Sequence, residues 1–105
     1  MKQQNQTNPP GNPEVTSPSY EIETVCGPIP AEELGITQTH EHIWLNAYEH
    51  HKNYGFVFDD EDMMVKELAE YTKLGGRSMV EVTTPEIGRD PVALRNISRR
   101  SGVQI

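Results

Sequence analysis

The sequence predicts an α/β fold with parallel strands, the opening βαβα portion of a larger sheet or barrel that this chain leaves incomplete. Strand-like runs at Ile36–Leu45 and Ser78–Thr84 alternate with helix-like runs that follow Asp59 and Pro91. Each helical run is preceded by a capping aspartate and stopped by glycine. Val103-Gln104-Ile105 then begins a third run of the strand type. In this order each helix crosses back over the sheet, which makes consecutive strands parallel. Two parallel strands do not stand alone, so the pattern implies further strands.

A length of 105 residues sets the scale at one modest domain and excludes a multidomain enzyme. Nine Lys and Arg against sixteen Asp and Glu give a net charge of −7, which repels a phosphate backbone, so nucleic acid is not an expected partner. No stretch approaches the roughly 20 apolar residues of a membrane span. Lys2 is followed by no apolar stretch of the secretory type, and the single cysteine, Cys26, has no internal partner for a disulfide. A cytoplasmic location is the expectation.

Residues 1–19, rich in Gln, Asn, Ser and Thr and broken by Pro9, Pro10, Pro13 and Pro18, offer little to bury and read as a disordered polar tail. Residues 20–105 form the structured part. Tyr20–Val25 alternates Glu21 and Glu23 with Ile22 and Thr24, the pattern of a short strand with one solvated face. Cys26-Gly-Pro-Ile-Pro reads as a turn, because Pro28 and Pro30 each remove a donor. Ala31–Glu33 suggests a helical turn before Gly35. The first core strand, I-T-Q-T-H-E-H-I-W-L, runs from Ile36 to about Leu45 into a loop that holds Asn46–Gly55.

Asp59, Asp60, Glu61 and Asp62 place carboxylates at an electropositive helix start, and Met64, Val65, Leu68, Tyr71 and Thr72 follow at three- and four-residue spacing. The acidic run lacks the order of an EF-hand and reads as capping. Met63, Met64 and Tyr71 read as one helix face against the sheet. Gly75 and Gly76 end the helix. The second strand, Ser78–Thr84, stops at Pro85. Asp90 caps the next helix and Pro91 occupies its first turn. Val92, Leu94, Ile97 and Ser98 make its buried stripe, Arg95, Arg99 and Arg100 its exposed face, and Gly102 its end.

His40-Glu41-His42 carries the most chemistry. Alternate residues of a strand share a face, so His40 and His42 point the same way with their backbones roughly 6.6 Å apart. Two nitrogens on one zinc lie on the order of 3.4 Å apart, within reach of both rings. Glu41 faces the other way and is no third ligand. Two histidines make half a site, because a catalytic zinc takes three protein ligands and keeps one position open. Position at the carboxyl end of a predicted strand strengthens the assignment, since α/β barrels carry their chemistry there.

Other candidates have blander readings. His50 and His51 are solvated in a polar loop, with Glu49 as an adventitious neighbour. Cys26 has no positioned base and reads as a packing residue. Arg89 and Asp90 fix or cap the loop after the second strand. Glu81 can face either the interior or the helices, with a role behind the ligands or a structural one. Trp44 either walls the metal pocket or packs beneath its loop. No catalytic residue is assigned, and the substrate-binding residues are unknown.

The segment T-V-C-G-P-I-P-A-E-E-L-G-I-T-Q-T-H-E-H, Thr24–His42, resembles the amino-terminal signature of the phosphotriesterase family of the amidohydrolase superfamily. The run G-G-R-S-M-V-E-V-T-T-P-E-I-G-R-D-P-V-A-L-R-N-I-S-R-R-S-G-V, Gly75–Val103, resembles that family's second strand, loop and helix. The resemblance implies a (β/α)8 TIM barrel, of which residues 20–105 are the amino-terminal portion, since a barrel needs roughly 200 residues or more. It implies a metal-dependent hydrolase of phosphotriesters, lactones or related esters. Two divalent ions per site, commonly zinc, would activate a bridging hydroxide. His40 and His42 match the first-strand pair that binds the more buried ion. The remaining ligands match nothing here, so the isolated chain is expected to be inactive. Small ester-like substrates and a homodimer are implied for the complete enzyme. The alternative is a noncatalytic fragment that binds metal weakly or associates with another chain.

Overall fold

Residues 19–105 are described by the computed structural model, and they begin with an antiparallel hairpin of β1 (Glu21–Thr24) and β2 (Gly27–Pro30). The expected disordered tail falls on residues 1–18, outside the described residues; Ser19 is exposed and belongs to no regular element. Gly27–Pro30 is thus a strand, not the expected turn, which is confined to Val25-Cys26. Pro28 and Pro30 lie opposite Glu23 and Glu21, alternating with Gly27 and Ile29. Alternate residues of an antiparallel pair turn their N–H groups outward, so two prolines cost this ladder nothing. Gly27 takes φ +107°, open to glycine at little cost, as the chain leaves the turn.

A 3₁₀ turn at Ala31–Glu33 leads into β3 (Ile36–Glu41), four residues shorter than the predicted run. The chain bends at Ile43-Trp44 and makes a small excursion in place of the expected loop. There β4 (Leu45–Asn46) pairs antiparallel with β5 (Val57–Phe58) around the one-turn helix α1 (Tyr48–His51) and a 3₁₀ turn at Tyr54–Phe56. Tyr48 and Tyr54 stack within it, ring centres 4.6 Å apart.

Helix α2 (Glu61–Lys73) starts at Asp60, whose Oδ1 accepts the Met63 amide at 3.0 Å. Glu61 and Asp62 of the acidic run reach across to the next helix. Glu61 accepts from Asn96 Nδ2 at 3.1 Å, and both Glu61 and Asp62 pair with Arg100. Gly75 at φ +94° closes α2, whereas Gly76 already opens β6 (Gly76–Glu81). Its bare Cα admits the Tyr71 ring, which a Cβ would strike. The Tyr71 hydroxyl lies 3.0 Å from the Ile36 carbonyl and 2.9 Å from that of Ser78, tying α2 to both parallel strands.

β3 and β6 run parallel, as predicted, and β6 starts and ends earlier than the predicted Ser78–Thr84. A 3₁₀ turn at Pro85–Ile87 and the cap Asp90 precede α3 (Pro91–Ser101), which Gly102 ends at φ +79°. The third strand-like run is present: Met79 N–H donates to the Gln104 carbonyl at 2.8 Å, and Gln104 N–H to that of Arg77 at 3.0 Å. Val25 N–H reaches the Ile105 carbonyl at 2.8 Å, joining the hairpin to the end of the chain.

The core lies between the parallel strands and the two longer helices. Ile43, Leu68, Met79, Leu94, Ile97 and Val103 form it, with Ile97 and Val103 fully shielded from solvent. Each such side chain contributes about 1.5–3 kcal/mol of transfer free energy. Three positions differ from the predicted faces. Ala93 takes the buried place expected of Val92, which is 56% exposed, and Met63 points outward while Met64 packs inward. Helix α3 begins on Pro91, so its first inward position comes one residue later than the apolar pattern suggests. Arg95, expected on the exposed face, is half-buried, with its Nε buried and lacking a hydrogen-bond partner among the described residues.

Candidate metal centre

His40 and His42 lie where β3 gives way to the bend, His40 within the strand and His42 one residue beyond it. The ladder slips here: Gln38 is opposite Met79, yet Glu41 is opposite Glu81, so β3 carries one extra residue. Such slips re-aim side chains at strand ends. The two rings meet edge to face, with centres 5.7 Å apart and planes at 74°. His40 is exposed and His42 half-buried, which leaves the pair open on one side.

β6 supplies what holds this corner. The Glu81 carboxylate accepts from Ile43 N–H at 2.8 Å and Trp44 N–H at 3.1 Å through Oε2, and from Thr83 N–H at 2.6 Å through Oε1. The orientation of Glu81, open in the sequence, is thereby resolved: its carboxylate turns to the β3 corner. Thr83, 1% exposed, places its hydroxyl 2.8 Å from His42 Nδ1. Sequence reasoning missed Thr83. Its only signal was the two-residue spacing from Glu81, and that means nothing until the β3–β6 register is known.

Two imidazoles bound at about 2.0–2.1 Å to one tetrahedral ion have ring centres roughly 5.2 Å apart. The observed separation is half an ångström longer, within a small side-chain rotation. Nδ1 of His42 is engaged by Thr83 while Nε2 has no hydrogen-bond partner among the described residues, and an outer partner on one ring nitrogen is what orients a ligating histidine. The ring separation alone is therefore close to that of two imidazoles sharing one ion. Among the described residues no group of three or more His, Cys, Asp or Glu is gathered for a metal.

The other sequence candidates are dispersed. His50 Nε2 lies 3.2 Å from the Glu86 carbonyl, while His51 lies against Phe56 with ring centres 4.6 Å apart, so the two diverge as expected. Glu49 pairs with Lys52 at 2.7 Å. Arg89 Nε donates to the Thr83 carbonyl at 2.7 Å, fixing the loop after β6. Trp44 is half-buried and packs against the core. Cys26, expected to pack, is exposed at the hairpin turn, because two-residue turns leave little to cover their tips. Glu86 is held below the usual carboxylate range, first by a hydrogen bond from Thr84, then by its own backbone amide and the nearby Arg89 and His50.

A cleft of about 440 Å³ opens between the hairpin, β6 and the start of α3, lined by Ile22, Val25, Val80, Glu81, Arg89 and Ile105. Its lining is chiefly apolar, with Glu23, Glu81 and Arg89 as charged groups. No described helix is long and apolar enough to cross a membrane.

Comparison with known proteins places these elements. The sequence is 32% identical to an N-acetyltaurine hydrolase of Salmo salar over 83% of this chain and 34% of that protein. It is 36% identical to a phospho-furanose lactonase of Mycoplasmopsis agalactiae over 73% of this chain and 22% of that protein. The crystal structure of a lactonase from Listeria monocytogenes superposes with a TM-score of 0.72 at 29% identity, covering 82% of this chain and 27% of that one. The chain thus spans about a third or less of these relatives. The sequence model of the phosphotriesterase family matches residues 20–105, which takes in β1 through the third strand-like run, and the chain belongs to that family.

Proposed function

We propose that this chain supplies the first-strand histidine pair of a metal-dependent hydrolase acting on phosphotriester, lactone or related ester bonds of small molecules. One observation carries the reading: His40 and His42 present their rings on the same side at the carboxyl end of a parallel strand, 5.7 Å apart. The lactonases among the similar proteins support lactone chemistry, and the N-acetyltaurine hydrolase adds amides as a related acyl class. A divalent ion, zinc by donor type, when bound supplies Lewis acidity and lowers the pKa of water. His40 and His42 hold it as neutral ligands and take no part as a general base. Thr83 keeps His42 in one ring orientation. In the complete family enzyme two ions share the site within a (β/α)8 barrel; two nitrogens alone leave the 105-residue chain without turnover.

A second reading, a noncatalytic piece that associates with another chain, draws on one feature. Among the described residues β3 pairs on one side only, and Ile36 is 64% exposed. An unpaired strand edge of this kind recruits other strands.

Calorimetric titration of the purified chain with Zn²⁺ separates these. Binding that disappears in the His40→Ala, His42→Ala double variant supports the metal reading. Unchanged affinity in that variant removes the pair as the principal ligands.

A further inference from the structure

We propose that Glu81 is a positioning residue for His42, acting through the main chain and not by touching the ion. The inference rests on the metal-dependent reading above. Ile43 N–H belongs to the peptide group that follows His42, so whatever holds that amide holds the plane from which the imidazole projects. Glu81 Oε2 holds it at 2.8 Å and the next amide, Trp44, at 3.1 Å. The other oxygen takes the amide of Thr83, the residue whose hydroxyl meets His42 Nδ1. One carboxylate therefore clamps both the ligand's peptide and the ligand's orienting partner, which come from different strands.

The chemistry of the donors favours a carboxylate specifically. Ile43 and Trp44 sit at a bend outside the ladder, and Ile43 is 4% exposed, so its amide has no easy recourse to water. An ionised carboxylate offers about four acceptor sites and no donor, enough for three N–H groups. A glutamine keeps one acceptor oxygen and turns an NH₂ toward amides that are themselves donors. An aspartate is one methylene short of the far strand.

The test uses the whole 105-residue chain as wild type, Glu81→Gln, Glu81→Asp and the His40→Ala, His42→Ala pair. Nuclear Overhauser contacts in the metal-free chain report whether the His42 ring stays against Thr83, and Co²⁺ titration followed by visible absorption reports binding. Wild type should show the His42–Thr83 contact with the Ile43, Trp44 and Thr83 amides protected from exchange. Glu81→Gln and Glu81→Asp should lose that contact and weaken Co²⁺ binding by about 10- to 100-fold, while α2 and α3 keep their signals. A retained contact or wild-type Co²⁺ affinity in both variants would overturn the proposal. Loss of all native signals in both would also overturn it, because the residue would then support the fold at large. Wild-type Co²⁺ affinity in the double histidine variant would instead sink the metal reading, and the metal-free ring contact would still decide the role of Glu81.

Discussion

The Thr83 hydroxyl lies 2.8 Å from Nδ1 of His42, across forty-one positions of sequence (41). That contact couples the loop after β6 to the corner after β3. Replacing Thr83 by Val keeps the buried shape and removes the hydrogen bond. The expected loss is about 0.5–1.5 kcal/mol in urea unfolding. A Val variant as stable as wild type would show that His42 finds another partner of equal worth.

Gly76 faces the Tyr71 ring too closely to carry a Cβ, and the ring is held by its hydroxyl between Ile36 and Ser78. Gly76→Ala should therefore destabilise the chain by about 1–3 kcal/mol, the usual range for overpacking. Tyr71→Phe should cost about 1 kcal/mol through the lost hydrogen bond. Both are read from denaturant midpoints, and an alanine chain with an unchanged midpoint would mean that the ring swings aside freely.

Asp90 Oδ1 accepts from Val92 N–H at 3.0 Å and Ala93 N–H at 3.1 Å. Removing this cap with Asp90→Ala should cost about 0.5–2 kcal/mol, and Asp90→Ser should restore most of it. Thermal unfolding followed by circular dichroism measures both; equal melting of the alanine and serine chains would count against capping.

Glu86 gives a pH dependence with a definite sign. Its folded carboxyl titrates below the ordinary 4.5, first because of the Thr84 hydrogen bond, so its contribution is present above 4.5 and fades as pH falls through the lowered value. Solvent exposure keeps that contribution small. A carboxyl ¹³C titration should place the Glu86 midpoint below 4.5 and move it upward in Thr84→Ala. A midpoint at or above 4.5 in the wild-type chain would contradict the assignment.

Features written in short-range chemistry were legible in the sequence. Asp90-Pro91 and Gly102 mark both ends of α3, and the carboxylates before Met63 mark the start of α2, because caps act within one helical turn. The parallel pairing of β3 with β6 followed from element order. What depended on contact between distant segments was not legible. The hairpin strand at Gly27–Pro30 looked like a turn, since proline's cost depends on whether its missing N–H faces a partner. Val92 outranked Ala93 as a core residue on hydrophobicity, but the helix phase set by Pro91 puts the smaller side chain inside. At the site, spacing, strand-end position and the family resemblance together single out His40 and His42, whereas Glu81 and Thr83 acquire their partners only when β6 lies beside β3.

Two of the three groups that Glu81 grasps belong to Ile43 and Trp44, and both are main-chain amides. Every amino acid except proline offers that same group, so the clamp is blind to which side chains follow His42. The clamp itself bars only proline at positions 43 and 44; what constrains their side chains is the core that Ile43 fills and Trp44 packs against, while position 81 must keep a carboxylate of this length.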